Sequence, residues 1–189
     1  AGLVDAQVKV NALRDAGFEK LRLLSEGRIE FQGSSTLDFE RGIRLDAPLI
    51  DIAGTASVNL NASTVALGQS LAPRVLDSNA AGSLVWLINQ PVASPLLATR
   101  RGEGHLSIDA GSVDLFGNLT LNGSQLTRIG SDSDVRFIGR ATSSTGQPPE
   151  QKGWLHTAGD LEFTATQLYP TTRTSFHVNV GDPLSASAT

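Results

Sequence analysis

The sequence predicts an all-β protein built as a parallel β-helix, a solenoid, on two main observations. The first is a short unit, broadly apolar-polar-apolar-polar-small, that runs three times in succession: Leu106–Ala110 (LSIDA), Val113–Gly117 (VDLFG) and Leu119–Gly123 (LTLNG). Apolar residues two apart share one face of a strand but diverge on a helix, so the unit is a half-buried strand. The second is that each copy restarts too soon for the strands of an ordinary hairpin meander. The small fifth residue marks a corner where the backbone bends. A chain that turns this often winds on itself, and stacking the units gives each a core that none has alone.

The same unit recurs at Ile29–Gly33, Ile43–Ala47, Ile50–Gly54, Val58–Ala62, Val135–Gly139 and Leu161–Ala165. Looser copies stand at Leu21–Ser25, Leu37–Arg41 and Val65–Gly68. In each strong copy the first and third residues are expected to face inward.

Taken in order, residues 1–17 fall outside the repeat. Ala6–Ala16 is rich in helix formers, Asp5 is placed to cap and Gly17 to stop, and Val8, Ala12 and Leu13 share one side. A short helix covering the open end of the winding is expected. Residues 69–105 break the rhythm with Pro73, Pro91 and Pro95, too many for ladder-bonded strands, and read as an insertion with one apolar run, Leu84–Ile88. Residues 140–159, centred on Ser143–Pro149, read as a loop. Residues 181–189 lack apolar anchors and read as a frayed tail.

Composition fits a narrow interior. Of 189 residues 40% are hydrophobic but only 5% aromatic, with 19 Gly to supply corners. The absence of cysteine excludes disulfides and thiolate metal sites. The absence of methionine points to a processed product or an internal segment of a longer chain. A net charge of −4 with bases dispersed argues against nucleic acid as a partner. No apolar run approaches the ~18 residues of a membrane span; Ser83–Gln90 is too short and meets Pro91.

Ala16–Leu23 (AGFEKLRL), Leu45–Ala47, Gly104–Ala110 (GHLSIDA) and Ala158–Phe163 (AGDLEF) followed by Gln167–Thr172 (QLYPTT) together resemble the filamentous haemagglutinin family, exoproteins of bacterial two-partner secretion. The resemblance covers nearly the whole chain and is to an internal or C-terminal-region fragment. It implies a right-handed β-helical shaft with about three strands per turn, secreted from or displayed on the outer surface of a Gram-negative bacterium. It also implies partners: a host-cell glycan or surface receptor, neighbouring coils of a longer chain, and an outer-membrane transporter during secretion. The family's N-terminal secretion motif has no copy here, and Arg101-Gly102-Glu103 is not the integrin tripeptide of some members.

Chemistry is sparse in the sequence. His105, His156 and His177 are scattered without metal-ligand spacing, Ser131–Asp134 is only half a calcium loop, and no nucleophile elbow or phosphate loop occurs, so no cofactor or metal is expected. Asp46, Asp51, Asp109 and Asp114 take outward positions, where a pair would serve a polysaccharide-cleaving enzyme and unpaired copies would merely keep the surface soluble. Scattered placement favours solubility, hence no catalytic residues. Trp86 and Trp154 fall in the two breaks; they are candidate ligand-binding residues for flat sugar faces, weighed against pinning their own loops. The function expected is a shaft and adhesive surface, with the enzyme, and a passive stalk for toxin delivery, as alternatives.

Overall fold

A computed structural model describes residues 6–70, 99–141 and 150–181. The chain there is all-β with parallel strands in two sheets. The larger, eight-stranded sheet contains β1 (Lys20–Leu24), β3 (Ser35–Asp46), β5 (Ser57–Gly68), β6 (Gly104–Phe116), β8 (Ser124–Ser131), β9 (Asp134–Ile138), β12 (Asp160–Thr164) and β13 (Gln167–Pro170). The smaller, six-stranded sheet contains β2 (Arg28–Phe31), β4 (Leu49–Ile52), β7 (Asn118–Asn122), β10 (Arg140–Ala141), β11 (Gln151–Thr157) and β14 (Thr174–Val180). Every pairing is parallel except the short antiparallel contact of β10 with β11.

The chain passes repeatedly between the sheets, with β8–β9 and β12–β13 consecutive in the larger and β10–β11 in the smaller; a set of strands close in sequence is called a tier below, and its strands pair with those of the next. Where it runs uninterrupted, residues paired across tiers are mostly 21 to 23 apart, as in Ile29–Ile50, Asp114–Arg136 and Ser35–Val58. One inward column runs Leu21–Ile43–Val65–Val113–Val135–Leu168, and its neighbour Leu23–Leu45–Leu67–Leu115–Phe137. The first and third residues of the strong units face the core as expected; Leu119 and Leu121, for example, are both buried. Each such Val, Ile or Leu contributes about 1.5–3 kcal/mol by leaving water, and stacking keeps that contribution available at every tier.

The corner after Ala110 differs from expectation in form. Leu106–Ala110 and Val113–Phe116 lie on one continuous strand, bent at Gly111, rather than on two separated strands. A Cβ on Gly111 would lie 2.8 Å from the Ser63 carbonyl oxygen of the preceding tier, so only glycine lets the ladder stay closed at the bend.

Among the described residues, one tier has no strand in the smaller sheet. β5 pairs with β3 and β6, but in the smaller sheet β4 pairs directly with β7. Between these points the larger sheet takes two interstrand steps and the smaller takes one, a mismatch of about 4.8 Å that twist or tilt of the strands must absorb. The chain between β5 and β6 contains residues 71–98, so Pro73, Leu84–Ile88, Trp86, Pro91 and Pro95 lie outside the described residues. The interruption is narrower than 69–105. Gln69 is buried with its amide donating to the Phe116 carbonyl, and Gly104 and His105 already belong to β6.

Two further expectations are corrected. Residues 140–159 are not simply loop, because Gln151–Thr157 form β11, paired with both β7 and β14. Its inward residues are Gly153, Leu155 and Thr157, and one large apolar side chain in three gives little alternating signal. At the N-terminus the described helix, α1, is only Val10–Asp15. Val10 and Leu13 rest against the core, whereas Val8 is 53% exposed and Ala12 is also exposed. Asp5 lies outside the described residues. At the other end the Gly181 amide still donates to the Thr157 carbonyl (2.8 Å), and the rest of the expected tail lies outside them too.

Candidate functional site

The outer face of the smaller sheet gathers the side chains best suited to recognition. β11 places Trp154 in register with Asn118 on β7 and His177 on β14. The Trp154 and His177 rings stack, centroids 5.9 Å apart and planes 15° from parallel. Two residues along, Thr120, His156 and Asn179 form a second column, in which Thr120 and His156 are buried and only Asn179 is exposed, its amide nitrogen 3.2 Å from His156 Nδ1. Burial pushes the His156 imidazole pKa down, so it stays neutral and its Nδ1 accepts from the amide. The result is an aromatic pair with the exposed Asn179 amide on one side and Lys152 in register with Ser175 on the other.

Trp154 is therefore on a strand and not in a loop, and its ring is steadied by His177. Sequence reasoning missed His177 because nothing local links it to Trp154; the link is one tier of register. Trp86, the other candidate, lies outside the described residues. The three histidines do not converge: His105 is in the larger sheet opposite Ser57, and His156 and His177 sit on adjacent strands out of register with each other. Among the described residues no group of three or more His, Asp or Glu side chains is placed to hold a metal ion.

The four outward aspartates meet different fates. Asp46 is not a surface residue: it is 1% exposed and accepts from the Ser70 amide (2.8 Å), the Ser70 hydroxyl (2.6 Å) and the Arg44 guanidinium (3.1 Å). Burial alone would raise its pKa, but the Ser70 and Arg44 hydrogen bonds outweigh it and hold the carboxyl below its ordinary value. Asp109 is exposed, flanked in register by Asn61 and Gly130. Asp114 is clasped by Arg136.

Asp51 is the one with a carboxylate neighbour, for Glu30 stands beside it in register. That pairing follows from two recognised units, Ile29–Gly33 and Ile50–Gly54, each with an acid at its second position. Both acids are held by neighbours: Glu30 by Arg28 (3.0 Å) and Gln32 (3.1 Å), Asp51 by the Asn122 amide (3.2 Å). Near the larger sheet's bend, a groove of ≈ 310 Å³ has Arg44, Asp114, Phe116 and Arg140 in its walls. The Arg44 guanidinium sits 4.3 Å above the Phe116 ring centroid, so this arginine is already engaged. Arg101 of the Arg-Gly-Glu stretch makes a two-pronged bond to Asp160 (2.8 and 3.2 Å) and so ties one tier to another.

No protein-family model, curated protein or solved structure matches the chain.

Proposed function

We propose that the chain is a segment of a right-handed parallel β-helix, the shaft of a filamentous haemagglutinin-like exoprotein secreted by or displayed on a Gram-negative bacterium. The observation that carries this reading is the set of inward columns running in register from tier to tier, which supports winding of a single chain over an assembly of hairpins. The sequence resemblance supplies the handedness and the biological setting. In this reading the outer-membrane transporter and neighbouring coils of the same shaft are partners, and the Trp154–His177 face is the adhesive surface toward a host-cell glycan or receptor.

A flat aromatic with an exposed amide beside it suits a sugar ring, which offers an apolar face and a rim of hydroxyls. The test is binding of the 189-residue chain and of Trp154→Ala to a glycan array. Binding by the natural sequence, lost in the variant, supports an adhesive face. No binding by either leaves a passive stalk, as in contact-dependent toxin delivery, and overturns the adhesive part.

The second reading, a polysaccharide-cleaving enzyme, is favoured by one observation, the register neighbours Glu30 and Asp51. Against it, each already has hydrogen-bond partners that a scaffold would supply.

A further inference from the structure

We infer that the ligand of the Trp154–His177 face is an acidic sugar, with its ring on the aromatic pair and a ring-borne carboxylate held by Lys152 and Arg173. This rests on the reading of that face as adhesive and adds what the face selects. A further coil would pair with the edge of β14 in the plane of the sheet, so it would not cover this face.

The cations come from two strands. Lys152 precedes Trp154 by two residues on β11 and so shares its outer face, about 6.6 Å away along the strand. Arg140 of β10 lies opposite Lys152 in register and brings another positive charge to that row. Against them stands Glu150, paired with Lys152 at 3.1 Å. Both side chains of that pair are at least 40% exposed, and such pairs are weak enough to exchange for an incoming carboxylate.

Arg173 is the outlier. Its φ is +61°, whereas every other described residue with positive φ is a glycine. The left-handed conformation is strained for a residue with a side chain, and strain that persists points to a function for that side chain. The backbone there only makes a turn. The Thr174 amide donates to the Thr171 carbonyl (3.0 Å) and the Gln151 amide to the Arg173 carbonyl (3.1 Å), and glycine would serve both without strain. What glycine lacks is the guanidinium. Arg173 is exposed, and its side chain has no hydrogen-bond or ion-pair partner among the described residues. It stands two residues before Ser175, the register partner of Lys152, so both cations border the same end of the aromatic pair.

An acidic sugar matches this order of groups. Its apolar ring face covers Trp154, its hydroxyls reach Asn179, and its carboxylate takes charge-assisted bonds from Lys152 and Arg173. A neutral sugar would leave the two cations unused.

The test is calorimetric titration of the 189-residue chain with two matched pairs: an oligogalacturonide and its carboxyl-reduced form, and a sialylated glycan and its asialo form. The acidic member of at least one pair should bind about tenfold tighter at low salt, and the ratio should fall as salt rises. Lys152→Met and Arg173→Gly should each cut that ratio by about threefold and leave the neutral affinity unchanged. Glycine relieves the strain at position 173, so a loss there is not a loss of fold. Trp154→Ala should abolish binding of both members. Equal affinity for acidic and neutral members, or a ratio unmoved in both cation variants, would overturn the inference and leave the adhesive face standing. Binding of neither acidic member would also overturn it, and binding of neutral sugars on the glycan array then decides the adhesive reading separately.

Discussion

Arg136 clasps Asp114 of the preceding tier with two parallel bonds, Nε to Oδ1 at 2.7 Å and Nη2 to Oδ2 at 2.9 Å. The pair stands on the outer face directly above the Leu115–Phe137 step of the core, so one register serves both faces of the sheet. Asp114 raises the pKa of Arg136, chiefly through the hydrogen bond and then through its charge. Both side chains are partly solvated, which limits what the pair is worth. Asp114→Asn, Arg136→Ala and the double variant should give a coupling energy of at most about 1 kcal/mol in urea unfolding, smaller in high salt. A larger coupling would mean that the register depends on this pair more than on the core.

Gly123 closes a corner that admits no other residue. Its φ is +75°, and a Cβ there would lie 2.1 Å from the Ile52 carbonyl oxygen. Gly123→Ala should destabilise by roughly 2–4 kcal/mol, since strain and a backbone clash coincide. Gly54→Ala shares the positive φ but has no heavy atom within 4 Å of its Cβ, so a smaller loss is expected. Thermal unfolding of the two variants checks the order.

Asp46 ties the chain leaving β5 to the tier before it. Its depressed pKa means that the folded state favours the carboxylate: the stabilisation is complete above the unfolded-state value and is lost as pH falls through the lower folded-state value. Asp46→Asn should cost about 1–3 kcal/mol at neutral pH, because the buried side chain at this position loses its charge-assisted bonds to Ser70 and Arg44. The variant should also lose part of the acid-induced decline in stability seen in the natural sequence. Equal stability near neutral pH would refute the role.

His156 works in the opposite protonation sense. Its pKa is lowered by burial, so the folded state holds the neutral ring and both states are neutral at high pH. As pH drops below the unfolded-state value, about 6.5, the unfolded chain takes up a proton first and stability falls until the folded-state value is passed. His156→Asn should flatten the stability profile between pH 7 and 5, about the range in which an unperturbed histidine titrates. An unchanged profile would show that His156 is freely solvated.

The fold was legible where the inward residues are large. Ile43-Arg-Leu45, Val58-Asn-Leu60 and Leu119-Thr-Leu121 announce their strands and their inner face. β8 and β11 were not legible, because their inward positions include Ser124, Thr127 and Ser131, and Gly153 and Thr157. Those polar groups are tolerated inside through local bonds such as Ser124 Oγ to Thr127 Oγ1 at 3.2 Å, which no periodicity reveals. Asp46 looked like a surface residue because its two satisfying partners include Ser70, 24 residues away. The Trp154–His177 face was half legible: Trp154 stood out by type, but its partner is fixed by the pairing of β11 with β14 and by no local motif.

Release of reducing ends from a panel of polysaccharides incubated with the chain tests most directly whether it is a scaffold. A non-catalytic shaft should release none above the blank at acid or neutral pH, whether or not it binds the same sugars. Release by the natural sequence that disappears in Asp51→Asn or Glu30→Gln would contradict the account and identify the chain as a polysaccharide-cleaving enzyme.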